Sequence, residues 1–373
     1  MHKIRLHRTA LITGLFLISF ALPSHAVLFN INNLVTDDQS TNAAQITDAG
    51  LINAWGLSYA PTGPFWISAN GSGTSPLYSV NPVDQTTSKL ALTVSIPGAG
   101  NVTGQVFNGT SAFNGDRFLF VSEDGTVSGW RPALGSTAET LATASASSLY
   151  KGAALGTIAG DSYLYAANFH SGAIDVLKGS VASPSLPGSF TDPALPAGYA
   201  PFNVQNLGGT LYVTYAQQDP LSPDEVAGPG LGLVDAYDLQ GNFLSRIATV
   251  GTLNAPWGLA IAPSSFGSMA GALLVGNFGD GHISAFDPAT HAYLGQVLGS
   301  DGSPVAIDGL WAISPGNDGL AGSSHLLYFT AGPDNESHGL FGVLTAVPEP
   351  SAYAMLLIGL VLLSGAIAHR NRS

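Results

Sequence analysis

Four polar residues stand at matching places in the sequence and could together bind a cation. Each follows a short apolar run and precedes turn residues, as in ISANG, VSEDG, AANFHSG and VGNFGDG. These residues are Asn70, Glu123, Asn168 and Asn277. Calcium takes about six to eight oxygen ligands, and amide and carboxylate oxygens suit it. Glu123 supplies the one formal charge among the four, so it is the first choice for a metal ligand or a base.

The same residue types have a simpler interpretation, because Asn, Asp and Gly populate tight turns in any protein. Turn chemistry alone accounts for the four positions, and we favour it over a metal site. Calcium is the one cofactor that the sequence leaves open.

Standard catalytic signatures are absent from the sequence. It contains no cysteine, no Gly-x-Ser-x-Gly elbow, no Gly-x-Gly-x-x-Gly loop and no Walker loop. His170 and His282 do not belong to a recognisable zinc spacing. The sequence therefore favours a binding protein over an enzyme. One alternative stays open, a propeller lactonase or lyase that needs only one metal and one carboxylate.

The elements that must position these residues are short β-like runs bounded by Gly, Pro, Asn and Asp. A block of one strand, a hairpin of two strands and a fourth strand can be laid down six times. The blocks start near Ala54, Thr103, Lys151, Pro201, Ala255 and Asp308. A period of about 50 residues is typical of propeller blades. We predict an all-β, six-bladed β-propeller, with a pair of β-sandwiches or a seven-bladed ring as alternatives.

The two ends of the body are expected to complete one blade. The last block has only three strands, whereas VLFNINNLV near the N-terminus is a strand without a block of its own. We predict that Val27–Val35 forms the outer strand of blade six, which removes two sheet edges and closes the ring.

This repeat also predicts which polar residues share a face. In a propeller blade, the turn between the second and third strands lies on the same face as the start of the innermost strand. The face should gather Asn70, Glu123 with Asp124, Asn168 with His170, Gln217–Asp219, Asn277 with Asp280, and Asp334–Glu336, together with strand starts at Asn53, Asn203, Asn254 and Asp308.

Two further features belong to the inner part of the ring. The loop QQDPLSPDEVAGPGLG lies on the same predicted face, either as a binding loop or lid or as a solvated connection. Trp55, Trp257 and Trp311 occupy matching places in three first strands. Their rings could stack on sugars, but we favour core packing.

Charge narrows the range of partners. Between Val27 and Val347 lie six basic and 23 acidic residues, a net charge of −17. This excess disfavours nucleic acid or an anionic membrane surface as a partner. Charged residues make up only 9% of the chain, so the surface is mostly uncharged polar. Cations, neutral glycans and basic proteins remain open.

Both ends of the chain carry targeting features. The segment MHKIRLHR is basic, Ala10–Leu22 is apolar, and Ser24-His25-Ala26 is a small-x-small site, which predicts a signal peptide cleaved after Ala26. Residues 352–368 are apolar and uncharged, and about 17 residues of helix reach roughly 25 Å, enough to span a bilayer. Basic residues follow this segment, so the body should lie outside the cytoplasm. A retained N-terminal anchor helix and an ordinary C-terminal membrane anchor are the alternatives.

The C-terminal sequence resembles a known sorting signal. Val347, Pro348, Glu349 and Pro350, then an apolar helix, then an Arg-containing end, are similar to the PEP-CTERM signal of bacteria. This resemblance implies an exosortase as sorting partner in a species that makes exopolysaccharide. It also implies a precursor held in the membrane by its C-terminal helix, then export to the cell surface or extracellular matrix.

The body resembles an uncharacterised bacterial family of NHL-like propellers found with PEP-CTERM tails. The similarity rests on NAWGLSYAPTGPFWISANGSGTSPLY, EDGTVSGW, LPAGYAPFNVQNLGGTLYVTYAQQD and PWGLAIAP with GNFGDGHISAFDP. It brings no known activity with it.

Together these features divide the chain into a signal peptide (1–26), a propeller (27–346) and a sorting segment (347–373). The favoured function is a non-enzymatic, exported propeller that binds glycan or another component of the extracellular polysaccharide matrix. The alternatives are a metal-dependent lactonase- or lyase-like enzyme acting at the channel mouth and a scaffold whose partner is a protein.

Overall fold

A computed structural model of the chain describes residues 27–98, 101–143, 147–249 and 251–348. The predicted signal peptide with Ala26, the motif residues Glu349 and Pro350, and the apolar segment 352–368 lie outside these residues. Within the described ranges, no helix is both long and apolar enough to cross a membrane.

The described residues form β-strands and four short 3-10 helices. Two strands precede the first blade, β1 (Leu28–Thr36) and β2 (Ile46–Thr47). Blade one contains β3 (Ala54–Ser58), β4 (Phe65–Ala69), β5 (Thr74–Val80) and β6 (Thr87–Ser95). Blade two contains β7 (Val102–Phe107), β8 (Phe118–Ser122), β9 (Thr126–Trp130) and β10 (Glu139–Thr143). Blade three contains β11 (Tyr150–Ile158), β12 (Asp161–Asn168) and β13 (Ala173–Lys178).

The second half of the chain repeats this arrangement. Blade four contains β14 (Tyr199–Leu207), β15 (Thr210–Gln218), β16 (Glu225–Val226), β17 (Leu233–Asp238) and β18 (Phe243–Thr249). Blade five contains β19 (Pro256–Ile261), β20 (Leu273–Asn277), β21 (Ile283–Phe286) and β22 (Tyr293–Gln296), and is followed by β23 (Leu298–Gly299). Blade six contains β24 (Leu310–Pro315), β25 (Leu327–Ala331) and β26 (Leu340–Ala346). The 3-10 helices are Asn70–Ser72, Phe113–Gly115, Pro132–Leu134 and Ser264–Met269.

Six separate sheets contain these strands, and within each blade neighbouring strands pair antiparallel. The sixth sheet also takes in β1, which pairs parallel with β2 and β23. This arrangement confirms the predicted all-β, six-bladed propeller. The sandwich pair and the seven-bladed ring are therefore wrong. Blade three has only three strands among the described residues. In place of a fourth strand, residues 179–198 connect blade three to blade four without regular structure. Phe190 in this segment is buried between blades three and four, where it contacts Tyr165 and Tyr237.

The predicted ring closure is also confirmed. Strand β1 pairs antiparallel with β26, from Phe29 opposite Ala346 to Thr36 opposite Leu340, so the N-terminal strand is part of blade six. Beyond the strand, the Asp37 carboxylate accepts a hydrogen bond from Gly339 N at 3.0 Å and lies 2.9 Å from His338 Nδ1. The two ends of the body are thus held together by a strand pair and by this side-chain contact.

Closure is stabilised by apolar packing as well as by hydrogen bonds. Leu34 and Val35 in β1 are fully buried in the cluster between blades six and one. Phe65 of blade one contacts Tyr328 and Phe341 of blade six in the same cluster, with ring centroids 4.8 and 5.1 Å apart. Burial of β1 therefore joins the last blade to the first.

We predict that Leu34→Ala destabilises the whole ring. Large-to-small changes at buried leucines cost about 2–5 kcal/mol of unfolding free energy, because the cavity left behind closes only in part. Leu221→Ala is the matched control, since Leu221 is almost fully exposed and should change stability by about 0.5 kcal/mol or less. Urea unfolding measures both, and equal midpoints for the two variants would show that β1 does not close the ring.

Candidate functional site

All six inner strands carry a β-bulge at the same position. The pairing register shifts between Ala54 and Leu57 in blade one, and corresponding shifts occur at the start of the inner strand in every other blade. The bulged residues are Trp55, Thr103, Lys151, Phe202, Trp257 and Trp311. A bulge redirects the side chain at that point. Contacts between these residues of different blades show that they meet at the centre of the ring.

Aromatic side chains from these bulges pack together at the centre of the ring. Trp55 and Trp311 stack with centroids 3.6 Å apart, and Trp257 meets Trp311 edge-on at 5.9 Å. Phe202 lies 5.9 Å from Trp311. All four side chains are buried, which confirms core packing for the three tryptophans.

Glycines next to the bulges let the inner strands come this close. A Cβ atom on Gly56 would collide with the carbonyl oxygen of Thr103 in blade two. A Cβ atom on Gly104 would likewise collide with the backbone of Gly152 and Ala153 in blade three. These positions need glycine for space.

Lys151 is the one charged residue among the six bulged positions. Its backbone carbonyl accepts a hydrogen bond from Trp257 Nε1 at 3.0 Å, and its ammonium nitrogen lies 5.1 Å from the centroid of the Trp55 ring. The same nitrogen is 2.7 Å from Glu123 Oε1, and its side chain is only 3% exposed. The lysine side chain therefore extends from the aromatic layer to the polar face, where its ammonium forms an ion pair with Glu123.

The charge of this buried lysine is maintained by its neighbours. Burial alone would lower the pKa of the Lys151 ammonium, but the negative charges of Glu123 and Glu225 outweigh burial and raise that pKa above its ordinary value. Lys151 is therefore a fixed cation and is not suited to act as a neutral amine nucleophile.

Side chains from two more blades continue the network around Lys151. Asn70 Nδ2 donates to Glu123 Oε2 at 3.3 Å, and Asn53 Nδ2 donates to Asn70 Oδ1 at 3.2 Å. Asn53 Nδ2 also lies 2.6 Å from Glu336 Oε2 in blade six. Polar groups of blades six, one, two and three are thus hydrogen-bonded in sequence across the channel mouth, on the face that the repeat predicted.

The long loop of blade four reaches the same place. Short strand β16 pairs with Gln217 and Gln218 of β15, and this pairing brings Asp224 Oδ1 within 3.9 Å of Lys151 Nζ. Gly228 N donates to Asn254 Oδ1 at 2.7 Å, so the loop is also bound to blade five. The loop is attached at both sides and contributes carboxylates to the mouth. Its role as a binding loop or lid stays a prediction.

Two carboxyl groups at the mouth hold their protons unusually tightly. Burial raises the pKa of Glu225 to about 7, although the Lys151 charge partly offsets this effect. Burial also raises the pKa of Glu336, again with partial compensation from Lys151 and from the Asn53 hydrogen bond. Neither group forms an ion pair with a basic residue among the described parts of the chain. The mouth thus has more carboxylates than its single lysine neutralises.

The four predicted ligand residues do not share one network. Glu123 and Asn70 lie together, as described, but Asn168 and Asn277 bond to groups near their own turns. Asn168 accepts from the backbone of Leu149 and Ser171 and donates to Asp175. Asn277 accepts from Asn254 N and donates to Thr252 O and Asp280.

These hydrogen bonds to nearby turns and strands agree with the structural role that we favoured for Asn168 and Asn277 over metal binding. Across the described ranges, no group of three or more His, Asp or Glu side chains is placed to hold a metal. The calcium role of Glu123, Asn70, Asn168 and Asn277 stays a prediction.

Sequence reasoning placed Glu336 and the blade-four loop on this face, but it gave Lys151 no role. An alignment of the six inner strands could have revealed it. The aligned segments are NAWGL, NVTGQ, LYKGA, APFNV, APWGL and GLWAI. This alignment puts lysine in a column of mostly aromatic residues.

A small cavity lies beside the mouth, under the blade-four loop. Its volume is about 230 Å³, and it is lined by Phe169, His170, Gln218, Asp219, Pro220, Ser222 and Pro223. Proline and aromatic faces here stand next to amide, carboxylate and hydroxyl groups. The loop therefore forms a wall of this cavity with residues 219–223 and supplies Asp224 and Glu225 to the mouth.

We predict that Glu225 makes the fold less stable as pH rises from about 4.5 to 7. Its folded-state pKa lies above its unfolded value, so the folded protein holds a proton in this window that the unfolded chain has lost. Glu225→Gln keeps the uncharged form at every pH. Between pH 5 and pH 8, the free energy of unfolding of the wild type should fall by on the order of 2 kcal/mol more than that of Glu225→Gln, as measured by urea unfolding. Identical pH profiles for the two proteins would show that Glu225 is solvated.

Sequence and structure comparisons place the chain among known proteins. No family model matches it. Uncharacterized protein R648 of Acanthamoeba polyphaga mimivirus is 35% identical over 338 residues, which is 86% of this chain and 81% of that protein. Uncharacterized protein L690 of the same virus is 30% identical over 343 residues, which is 86% of this chain and 87% of that protein.

Solved structures share the fold at much lower identity. A glucose dehydrogenase is 13% identical with a TM-score of 0.53, covering 86% of this chain and 100% of its own. The PQQ-bound aldose sugar dehydrogenase of Streptomyces coelicolor is 14% identical with a TM-score of 0.51, covering 88% of this chain and 100% of its own. These similarities show the propeller fold alone. The sequence identities of 35% and 30% show that this chain belongs to the same protein family as the mimivirus proteins R648 and L690.

Proposed function

We propose that this protein is a non-enzymatic, exported propeller that binds glycan of an extracellular polysaccharide matrix at its channel mouth. The observation that carries this proposal is the 230 Å³ cavity beside the mouth. Binding sites for small molecules combine an apolar lining with a few placed polar groups. A cavity of this size is suited to about one sugar ring rather than to a large cofactor.

The lining of the cavity fits the two kinds of surface that a sugar presents. The rings of Pro220 and Pro223 can pack against the C–H face of a pyranose. Gln218, Asp219 and the exposed His170 supply hydrogen-bonding groups for its hydroxyls. The carboxylates of the mouth add further acceptors.

The chemistry of the mouth favours binding over the enzymatic alternative. Lys151 is held as an ammonium, and its nearest carboxylate, Glu123, is paired with it at 2.7 Å. Neither group is therefore free to act as a nucleophile or a base. PQQ is an anionic quinone with carboxylate groups, and a mouth with several carboxylates and one lysine does not fit such a cofactor.

Export and sorting form part of the same proposal. The segment before Val27 acts as a signal peptide cleaved after Ala26, and an exosortase recognises residues 347–350 ahead of the apolar segment 352–368. Val347 N donates to Leu28 O at 2.7 Å, so the motif begins directly after β26, beside the N-terminal strand of blade six.

Binding is tested by calorimetry with cellohexaose and the N-acetylglucosamine hexamer as probes. The wild type should bind at least one of them, and His170→Ala should weaken binding about 3- to 10-fold through loss of one hydrogen bond. His325→Ala is the matched control, because His325 is exposed in the loop between the first two strands of blade six, on the opposite face. A wild type that binds neither probe, or an unchanged His170→Ala, would refute glycan binding at this cavity.

Sorting is tested by replacing Pro348, Glu349 and Pro350 with alanine in the native host. The altered precursor should stay in the membrane fraction, because the helix remains while the recognised motif is gone. Replacing Ser351 with alanine is the control and should leave sorting intact. Normal release of the triple variant to the surface or medium would contradict recognition by an exosortase.

A further inference from the structure

We propose that the channel mouth selects glycans that carry free amino groups, with a ligand ammonium bound among Asp224, Glu225 and Glu336. This inference rests on the glycan-binding function proposed above and specifies its ligand. It follows from an imbalance of charge, from buried polar atoms without partners, and from the kind of cation that the mouth already holds.

Charge at the mouth is unbalanced. Glu123, Asp224, Glu225 and Glu336 come from three different blades, and Lys151 is the one basic side chain placed among them in the described structure. Lys151 is closest to Glu123, at 2.7 Å, and 3.9 Å from Asp224. Glu225 and Glu336 therefore lack a cation of their own. A second positive group at this place would remove repulsion between carboxylates that are held close together.

Two buried polar atoms, one at the mouth and one in the aromatic layer beneath it, have no hydrogen-bond partner within the described ranges. They are Glu225 Oε2, which can accept, and Trp55 Nε1, which can only donate. Trp55 is 1% exposed, so solvent does not satisfy its N–H group. Buried polar groups without partners destabilise the free protein. A ligand ammonium at the mouth can donate a hydrogen bond to Glu225 Oε2.

The existing cation indicates which kind of second cation would fit. Lys151 Nζ combines a carboxylate at 2.7 Å with an aromatic face at 5.1 Å, which is the arrangement that an organic ammonium prefers. A calcium ion would need six to eight oxygens converging at about 2.4 Å. The described carboxylates do not converge in this way. Hydrogen bonds to an ammonium are longer than calcium–oxygen bonds and need fewer oxygens at once.

Access to the mouth is from the solvent side of the blade-four loop. The Asp224 side chain is 64% exposed and that of Glu123 is 21% exposed, so an approaching ammonium meets these two carboxylates first. Asp224 follows directly after the residues that line the 230 Å³ cavity. A sugar ring in the cavity would thus place an amino group of the same or the next ring beside Asp224.

The experiment compares two hexasaccharides with one backbone, the β-1,4-glucosamine hexamer and its fully N-acetylated form, by calorimetry at pH 7 on the mature protein. The wild type should bind the free-amine hexamer at least about 10-fold more tightly, because a charge-assisted hydrogen bond replaces a neutral contact. Asp224→Asn combined with Glu225→Gln should reduce this ratio to about 3-fold or less. Asp84→Asn combined with Asp301→Asn is the control, since it likewise replaces two carboxyl groups by amides, at exposed turns, and should keep the ratio.

Equal affinity of the wild type for both hexamers would overturn this inference while leaving glycan binding intact. A ratio that survives in the Asp224 and Glu225 variant, or that falls equally in the control, would also overturn it. If the wild type binds neither hexamer and does not bind cellohexaose, the proposed glycan-binding function itself is refuted. Calcium chloride alone is the last probe. If it raises the melting temperature of the wild type and Glu123→Gln abolishes the shift, then a metal ion occupies the mouth and the ammonium proposal is wrong.

Discussion

The bulge at the start of each inner strand is the constraint on which the rest of the molecule depends. It turns one side chain per blade towards the centre, and glycines such as Gly56 and Gly104 let neighbouring inner strands come close enough for these side chains to touch. Stacked aromatic rings then close the channel. On one side of this layer lies a polar mouth, whose groups are carried by the turns and strand starts of one face.

Lys151 sets the electrostatics of that mouth. It occupies the place that tryptophan or phenylalanine fills in four other blades, so its ammonium is desolvated by the layer beneath it and needs carboxylates above it. Glu123 forms an ion pair with this ammonium, and the blade-four loop contributes Asp224 and Glu225 nearby. The added carboxylates exceed what one lysine neutralises. The lysine at the centre of the ring is thus accompanied by several carboxyl groups at the mouth.

Much of the fold was predictable from the sequence because the blade repeat imposes its own spacing. Six starts about 50 residues apart, a lone first strand and an incomplete last block led to the observed ring and its closure. The predicted gathering of Asn53, Asn70, Glu123 and Glu336 on one face also follows from this regularity. The role of Lys151 was not predicted, because the bulge that redirects it is a departure from strand register, which alternation of residue types does not reveal. Likewise, Asn168 and Asn277 have the same residue type as Asn70, but different neighbours bind their side chains.

The ion pair between Lys151 and Glu123 is the contact around which the side chains of the mouth are arranged. A double-mutant cycle with Lys151→Met, Glu123→Gln and the combined variant, followed by urea unfolding, measures their coupling. Lys151→Met should cost about 3–5 kcal/mol, because it leaves buried carboxylates without their cation, and Glu123→Gln in the same chain should recover part of this loss. The predicted coupling energy is above about 1.5 kcal/mol. Single-variant effects that simply add, within about 0.5 kcal/mol, would contradict it.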